Sequence, residues 1–240
     1  MERKLTIYHL YPDLLDVYAD RGNVAVLEKR CAWRGIETRV RTLRAGETPD
    51  FADVDIVLLG TGSAQGQKQA SGYREMLSQP LKAYVENDGV LLAIGAGYQL
   101  LGNFYETETE RIDGYGVLDM DTYVSAGRFV GHFAVEAQLD NEKVTLVGFE
   151  HHTGRTDIKD YAPLGCVLAG FGNAEDGREG ILYKNTIGTY MHGPILPKNP
   201  ALADFLIQKA LTKKYGDATL AMLDDSAAQA ARNVILERLK

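Results

Sequence analysis

Along the first hundred residues, short apolar runs alternate with longer stretches of helical spacing. Leu5 to Leu10 reads as a first strand. From Asn23 to Arg34 the apolar residues Val24, Val26, Leu27, Cys31 and Trp33 recur at helical spacing, and Gly35 follows as a C-terminal cap. Ile36 to Leu43 alternates apolar and polar as a second strand, and Asp55 to Leu59, closed by Gly60, is a third. A helical region covers Gln67 to Glu86. The run Val90-Leu91-Leu92-Ala93-Ile94 is continuously apolar, as in a strand buried on both faces. Strands alternating with helices predict an α/β fold: a flavodoxin-like parallel sheet flanked by helices, joined by right-handed crossovers.

After Asn103 the pattern changes. Short alternating runs appear at Phe133 to Leu139, Val144 to Phe149, Gly180 to Tyr183 and Ile187 to Tyr190, separated by Gly and Asp. They predict antiparallel additions in the second half. Ala201 to Tyr215 and Ser226 to Lys240 read as closing helices, the last capped by Asp225 or Ser226. No repeat or linker divides the 240 residues, so residues 1–240 read as one domain with an elaborated half.

Composition narrows the partners. The net charge of -7 repels phosphate backbones, which argues against nucleic acid. No run of about 18 apolar residues is present, so no membrane insertion is expected. The start lacks the apolar stretch of a signal peptide, and the two cysteines, Cys31 and Cys166, form no disulfide framework; both features suit the cytoplasm. Both cysteines lie in apolar settings that suit buried, inert thiols. No metal spacing is present, and no cofactor is implied.

The stretch from Val90 to Gly102 carries the chemistry. A buried strand ends in Gly95-Ala96-Gly97, and a helix begins at once. Small residues permit the unusual backbone angles of a tight strand-to-helix elbow. Such an elbow lifts one side chain clear of the sheet, beside the N–H donors of the helix start. Ile94, Gly97, Tyr98, Gln99, Leu100, Leu101 and Gly102 resemble the Ile-Cys-Gly-Gly-Tyr-Gln-Leu-Leu-Gly elbow of cobyric-acid-synthase-like class I glutamine amidotransferases. Gly95 stands where that family has its cysteine nucleophile, and Ala96 where it has glycine. On its own, Gly95 also reads as an ordinary tight turn.

Further motifs resemble the GatD-like branch, the glutaminase subunits of lipid II isoglutaminyl synthase. They are Gly188 to Asn199 around His192, Gly148 to Thr156, Gly170 to Asn173, Glu179 to Asn185 and Leu5 to His9. The resemblance covers nearly the whole chain. It implies His192 as the general base, Arg128 near the substrate, and Gly60, Gly62, Ala96 and Gln99 in the oxyanion and substrate pocket. It also implies a MurT-like Mur ligase partner that amidates lipid II D-glutamate in peptidoglycan synthesis, with glutamine or a similar small molecule in the pocket. The loop Gly60-Thr61-Gly62-Ser63-Ala64-Gln65-Gly66-Gln67 departs from the branch's Gly-Gly-Gly-x-Asp-Arg-Glu-Gln at Thr61, Ala64, Gln65 and Gly66.

Other signals are weaker. Gly60, Gly62 and Gly66 imitate a dinucleotide fingerprint, but after the third strand rather than the first. His151 and His152 fit a turn better than a metal site, and Ser63 lacks an elbow. Without a thiol at residue 95, three functions stay open. One is a catalytically impaired subunit of a ligase, another a stand-alone ligand-binding pseudoenzyme, and the third an active amidotransferase with unrecognised chemistry.

Overall fold

A computed structural model describes residues 2–216 and 219–239. The first half runs β1 (Lys4–Leu10), α1 (Arg21–Ala32), β2 (Glu37–Leu43), β3 (Ile56–Leu59), α2 (Ala64–Ser71), α3 (Arg74–Glu86), β4 (Val90–Ile94) and α4 (Ala96–Leu100). The second half adds β5 (Phe104–Glu106), β6 (Arg111–Asp113), β7 (Asp121–Leu139), β8 (Glu142–Asp157), β9 (Gly165–Ala169) and β10 (Arg178–Glu179). It ends with β11 (Ile181–Tyr183), β12 (Thr186–Thr189), α5 (Pro200–Tyr215) and α6 (Ser226–Arg238).

Among the described residues, one sheet has the order β11-β12-β4-β3-β1-β2, parallel except for the pairing of β11 with β12. The continuous apolar runs are explained by burial on both faces. Ile56, Leu58, Val90, Leu92 and Ile94 pack with α1 and α5, while Val57, Leu59, Leu91 and Ala93 pack with α3. A second sheet has β7 at its centre, with the long β7–β8 antiparallel pair as its main ladder. Phe133, Val135, Leu139 and Leu146 from this pair join the cluster around Leu5, Ile7 and α5.

Several expectations are corrected. The helical region at residues 67–86 is two helices, broken at Gly72 and Tyr73 and starting earlier, at Ala64. The segment 187–190 belongs to the main sheet, because β12 lies parallel to β4. His151 and His152 lie within β8 rather than in a turn. Cys166 is exposed, since β9 covers the core with only one face. Trp33 is 65% exposed, beyond the last turn of α1. Asp225 stands at the start of α6, but its carboxylate accepts from Arg30 Nη1 at 2.6 Å instead of capping the helix. Lys240, placed in the last helix from the sequence, lies outside the described residues. Gly35 does end α1 with a positive φ of 67°, and the Ile36 N–H returns to the Cys31 carbonyl at 2.9 Å.

Among the described residues, no helix is long and apolar enough to cross a membrane.

Candidate active site

Gly95 ends the central strand β4, and α4 starts at the next residue. Its φ of 53° and ψ of −108° form a backbone that L side chains rarely adopt, as at a nucleophile elbow. The elbow is tied on both sides. Gly95 N–H donates to the Thr189 carbonyl at 2.8 Å, and Gly97 N–H donates to the Gly60 carbonyl at 3.0 Å. This places residue 95 at the carboxyl edge of a parallel sheet, where such folds open their crevices. The segment after β12 delivers His192 to the same edge, held by its N–H bond to the Phe149 carbonyl at 2.8 Å.

A cavity of about 430 Å³ opens there. Gly95, Ala96, Gln99, Gly62, Arg128 and His192 all border it. Gly60 does not; it sits behind the wall, so close to the Leu15 carbonyl that a side chain would collide. Arg128 lies within the irregularity of β7 between Val124 and Phe129 and borders the cavity. Its Nη1 lies 3.5 Å from His151 Nε2. The His151 Nδ1 shares a 2.5 Å hydrogen bond with the Tyr18 hydroxyl.

The Tyr18 ring stacks on His192 at 4.7 Å between centroids. His192 is 1% exposed. Burial pushes its pKa down to about 3, and His152 adds to the effect while the His151 backbone opposes it. The imidazole is therefore neutral near pH 7, the form a general base requires. A Cβ at residue 95 would lie 3.2 Å from His192 Nδ1. The His192 ring thus faces a position that carries no side chain.

Gln99 is committed to the framework: its Oε1 accepts from Gln67 Nε2 at 2.8 Å, and its Nε2 donates to the Tyr190 hydroxyl at 3.2 Å. Tyr190 also bonds Thr156 Oγ1 at 2.6 Å and stacks on His152 at 3.6 Å. Ala96 opens α4, so its N–H has no acceptor within the helix. With Gly62 on the same wall, this backbone can stabilise a negative oxygen. Behind the wall, Asp20 accepts from Thr61 N–H at 2.6 Å. Burial pushes Asp20 up to about 7, with Asp16 adding to the rise and the Thr61 N–H opposing it.

Neither cysteine borders the cavity. Cys31 is buried in α1, and desolvation pushes its thiol up to about 12. Among the described residues, no group of three or more His, Cys, Asp or Glu could hold a metal. Tyr18, Tyr190, His151 and His152 border the site without having been singled out for it from the sequence. Tyr18 comes from an irregular stretch between β1 and α1, whose sequence has no periodicity to reveal its partner.

Comparison with known proteins agrees with this architecture. Residues 6–200 match the CobB/CobQ-like glutamine amidotransferase domain. The GatD subunit of glutamine-hydrolysing lipid II isoglutaminyl synthase from Staphylococcus aureus (strain N315) is 38% identical over 98% of this chain and 96% of its own length. Its counterpart from Streptococcus pneumoniae (strain ATCC BAA-255 / R6) is 38% identical over 94% and 88%. Among solved structures, PurLQS from Thermotoga maritima superposes with a TM-score of 0.58, covering 88% of this chain and 99% of that one, at 17% identity. A crystal structure of a glutamine amidotransferase gives a TM-score of 0.54 over 85% and 98%, at 13% identity. The chain therefore belongs to the CobB/CobQ-like family of class I glutamine amidotransferases, in its GatD-like branch.

Proposed function

We propose that this chain is the GatD-like subunit of a cytoplasmic lipid II-amidating assembly, and that it has lost cysteine-dependent glutamine hydrolysis. One observation carries the reading. The elbow at Gly95 keeps a nucleophile-bearing backbone, and His192 Nδ1 lies 3.2 Å from a Cβ that glycine lacks. The base and the oxyanion donors are in place, but the amide carbon meets no thiolate. The names of the two GatD relatives support lipid II as the assembly's substrate. Their subunit status supports a MurT-like Mur ligase as the partner. A cluster that mixes side chains of both sheets supports reading the chain as one amidotransferase-like domain.

In this reading His192, Arg128, Gly62 and Ala96 are the remains of the glutamine site, and Gly95 is the vacant nucleophile position. Gly60 acts one layer behind, as the acceptor that fixes α4. A second reading draws on the open cavity with Arg128 at its mouth, which could hold an anionic small molecule in a stand-alone binding protein. Affinity purification from the native cell separates the two. Reproducible co-purification of a Mur-ligase-like protein is expected, and recovery of free chain alone at low salt contradicts the partner assignment.

A further inference from the structure

Thr61 occupies the first loop where the GatD-like pattern has glycine, and the chemistry described above gives it no task. It is 5% exposed and pinned on every side. Its N–H donates to Asp20 Oδ2 at 2.6 Å, and its carbonyl accepts from Val17 N–H at 2.9 Å. Its Oγ1 donates to the Ile94 carbonyl at 2.8 Å. The loop backbone beside it is closely packed, since a Cβ at Gly62 would lie 2.6 Å from the Leu14 carbonyl.

A Cβ built at residue 95 overlaps Thr61 Oγ1 and comes within 2.5 Å of His192 Cε1. The two contacts differ in kind. The imidazole ends a rotatable side chain that borders the cavity, so its contact is relieved by rotation at the expense of its stacking on Tyr18. The threonine hydroxyl sits one bond from a fixed Cβ. Both of its other rotamers give up the Ile94 bond, and one brings the methyl to the same place.

We propose that Thr61 is a steric block built into the nucleophile position. The hydroxyl at 61 and the missing side chain at 95 are then one coupled change. Returning a thiol to residue 95 alone does not return a reactive one. The proposal rests on reading position 95 as the vacant nucleophile site.

The test uses 6-diazo-5-oxo-norleucine, a glutamine-shaped electrophile. A thiolate attacks its protonated diazo carbon, an S–C bond forms and N₂ leaves. The unmodified chain, Gly95→Cys and Thr61→Gly/Gly95→Cys are treated at neutral pH, with modification followed by intact and peptide mass spectrometry and folding checked by circular dichroism. The double variant is expected to be modified at residue 95 at least about tenfold faster than the single variant, the scale set by relief of an overpacked contact. Equal rates in the two variants overturn the block. No modification in either folded variant overturns both the block and the reading of position 95. Modification of the unmodified chain on Thr61 also overturns it, since the hydroxyl is then a nucleophile. If the double variant does not fold, Thr61→Ala/Gly95→Cys is judged against the single variant by the same criterion, because it removes the hydroxyl and keeps the Cβ.

Discussion

The pKa values of His192 and Asp20 are shifted in opposite directions for the same main reason, which is burial. Their effects on stability have opposite signs. His192 titrates near 3 in the folded chain and near 6.5 when unfolded, so its contribution is present above about pH 6.5 and is lost as pH falls toward 3. Asp20 moves from 3.8 to about 7, so its contribution is present below about pH 4 and is lost as pH rises to 7. Asp20→Asn keeps an oxygen acceptor for Thr61 N–H and removes the titration. Relative to the unmodified chain it is expected to gain stability steadily from pH 4 to pH 7, by about 2–4 kcal/mol at the upper end. Urea unfolding at stepped pH measures this, and a constant difference contradicts it. His192→Gln is expected to show the reverse trend, its disadvantage shrinking as pH falls from 6.5. The place of His192 at the cavity was legible from the Met191-His192-Gly193-Pro194 motif. Asp20 and Tyr18 were not, because they reach the site from a stretch without regular spacing, and only tertiary packing sets their neighbours.

The elements that carry the site meet where side chains are absent. Gly97 lets α4 approach β3 so closely that a Cβ would strike the Leu59 carbonyl and lie 2.8 Å from the Gly60 carbonyl. These atoms are backbone, so the contact cannot be relieved by rotation. Gly97→Ala is expected to destabilise the chain by about 3 kcal/mol or more, the upper end of overpacking effects. Gly35→Ala is the control, because Gly35 needs its positive φ but has open space around it. It is expected to lose only about 1 kcal/mol. Thermal unfolding of the two variants should rank them in that order, and equal losses contradict the close-approach argument. The β4–α4 elbow was readable because a buried strand and small residues leave few alternatives. The length of β7 and β8 was not readable. In β7 the residues Ala126, Gly127 and Arg128 are exposed, and in β8 the buried positions Glu150, His152 and Thr156 are polar, so hydrophobic alternation fades along both strands.

At the scale of the molecule, two sheets and the closing helices are locked by a shared cluster and one ion network. Arg30 in α1 pairs with Asp204 in α5 at 2.7 Å and with Asp225 before α6 at 2.6 Å, and Arg34 joins Asp204 at 2.7 Å. None of the α6 residues is fully buried, so this tether matters to that helix. Asp225→Ala is expected to lower global stability by only about 1–2 kcal/mol, since Arg30 keeps Asp204 and Asp225 is partly exposed. Hydrogen exchange over residues 226–238 should rise well before that of β4, and unchanged exchange there contradicts the tether. The overall class was legible because apolar runs and helical spacing alternate locally. The assignment of β12 to the main sheet was not, because that pairing joins residues nearly a hundred positions apart. In the proposed function, what the whole arrangement does depends on residue 95 lacking a side chain. Removing the nucleophile of a catalytic unit lowers turnover by about a millionfold, and the remaining donors and binding recover roughly 10³ over water. Ammonia release from glutamine by the purified chain, alone and with the proposed ligase partner, is therefore the most direct test. Release at the buffer background is expected in both cases, and turnover above it that survives Ala substitution of Cys31 and Cys166 contradicts the account.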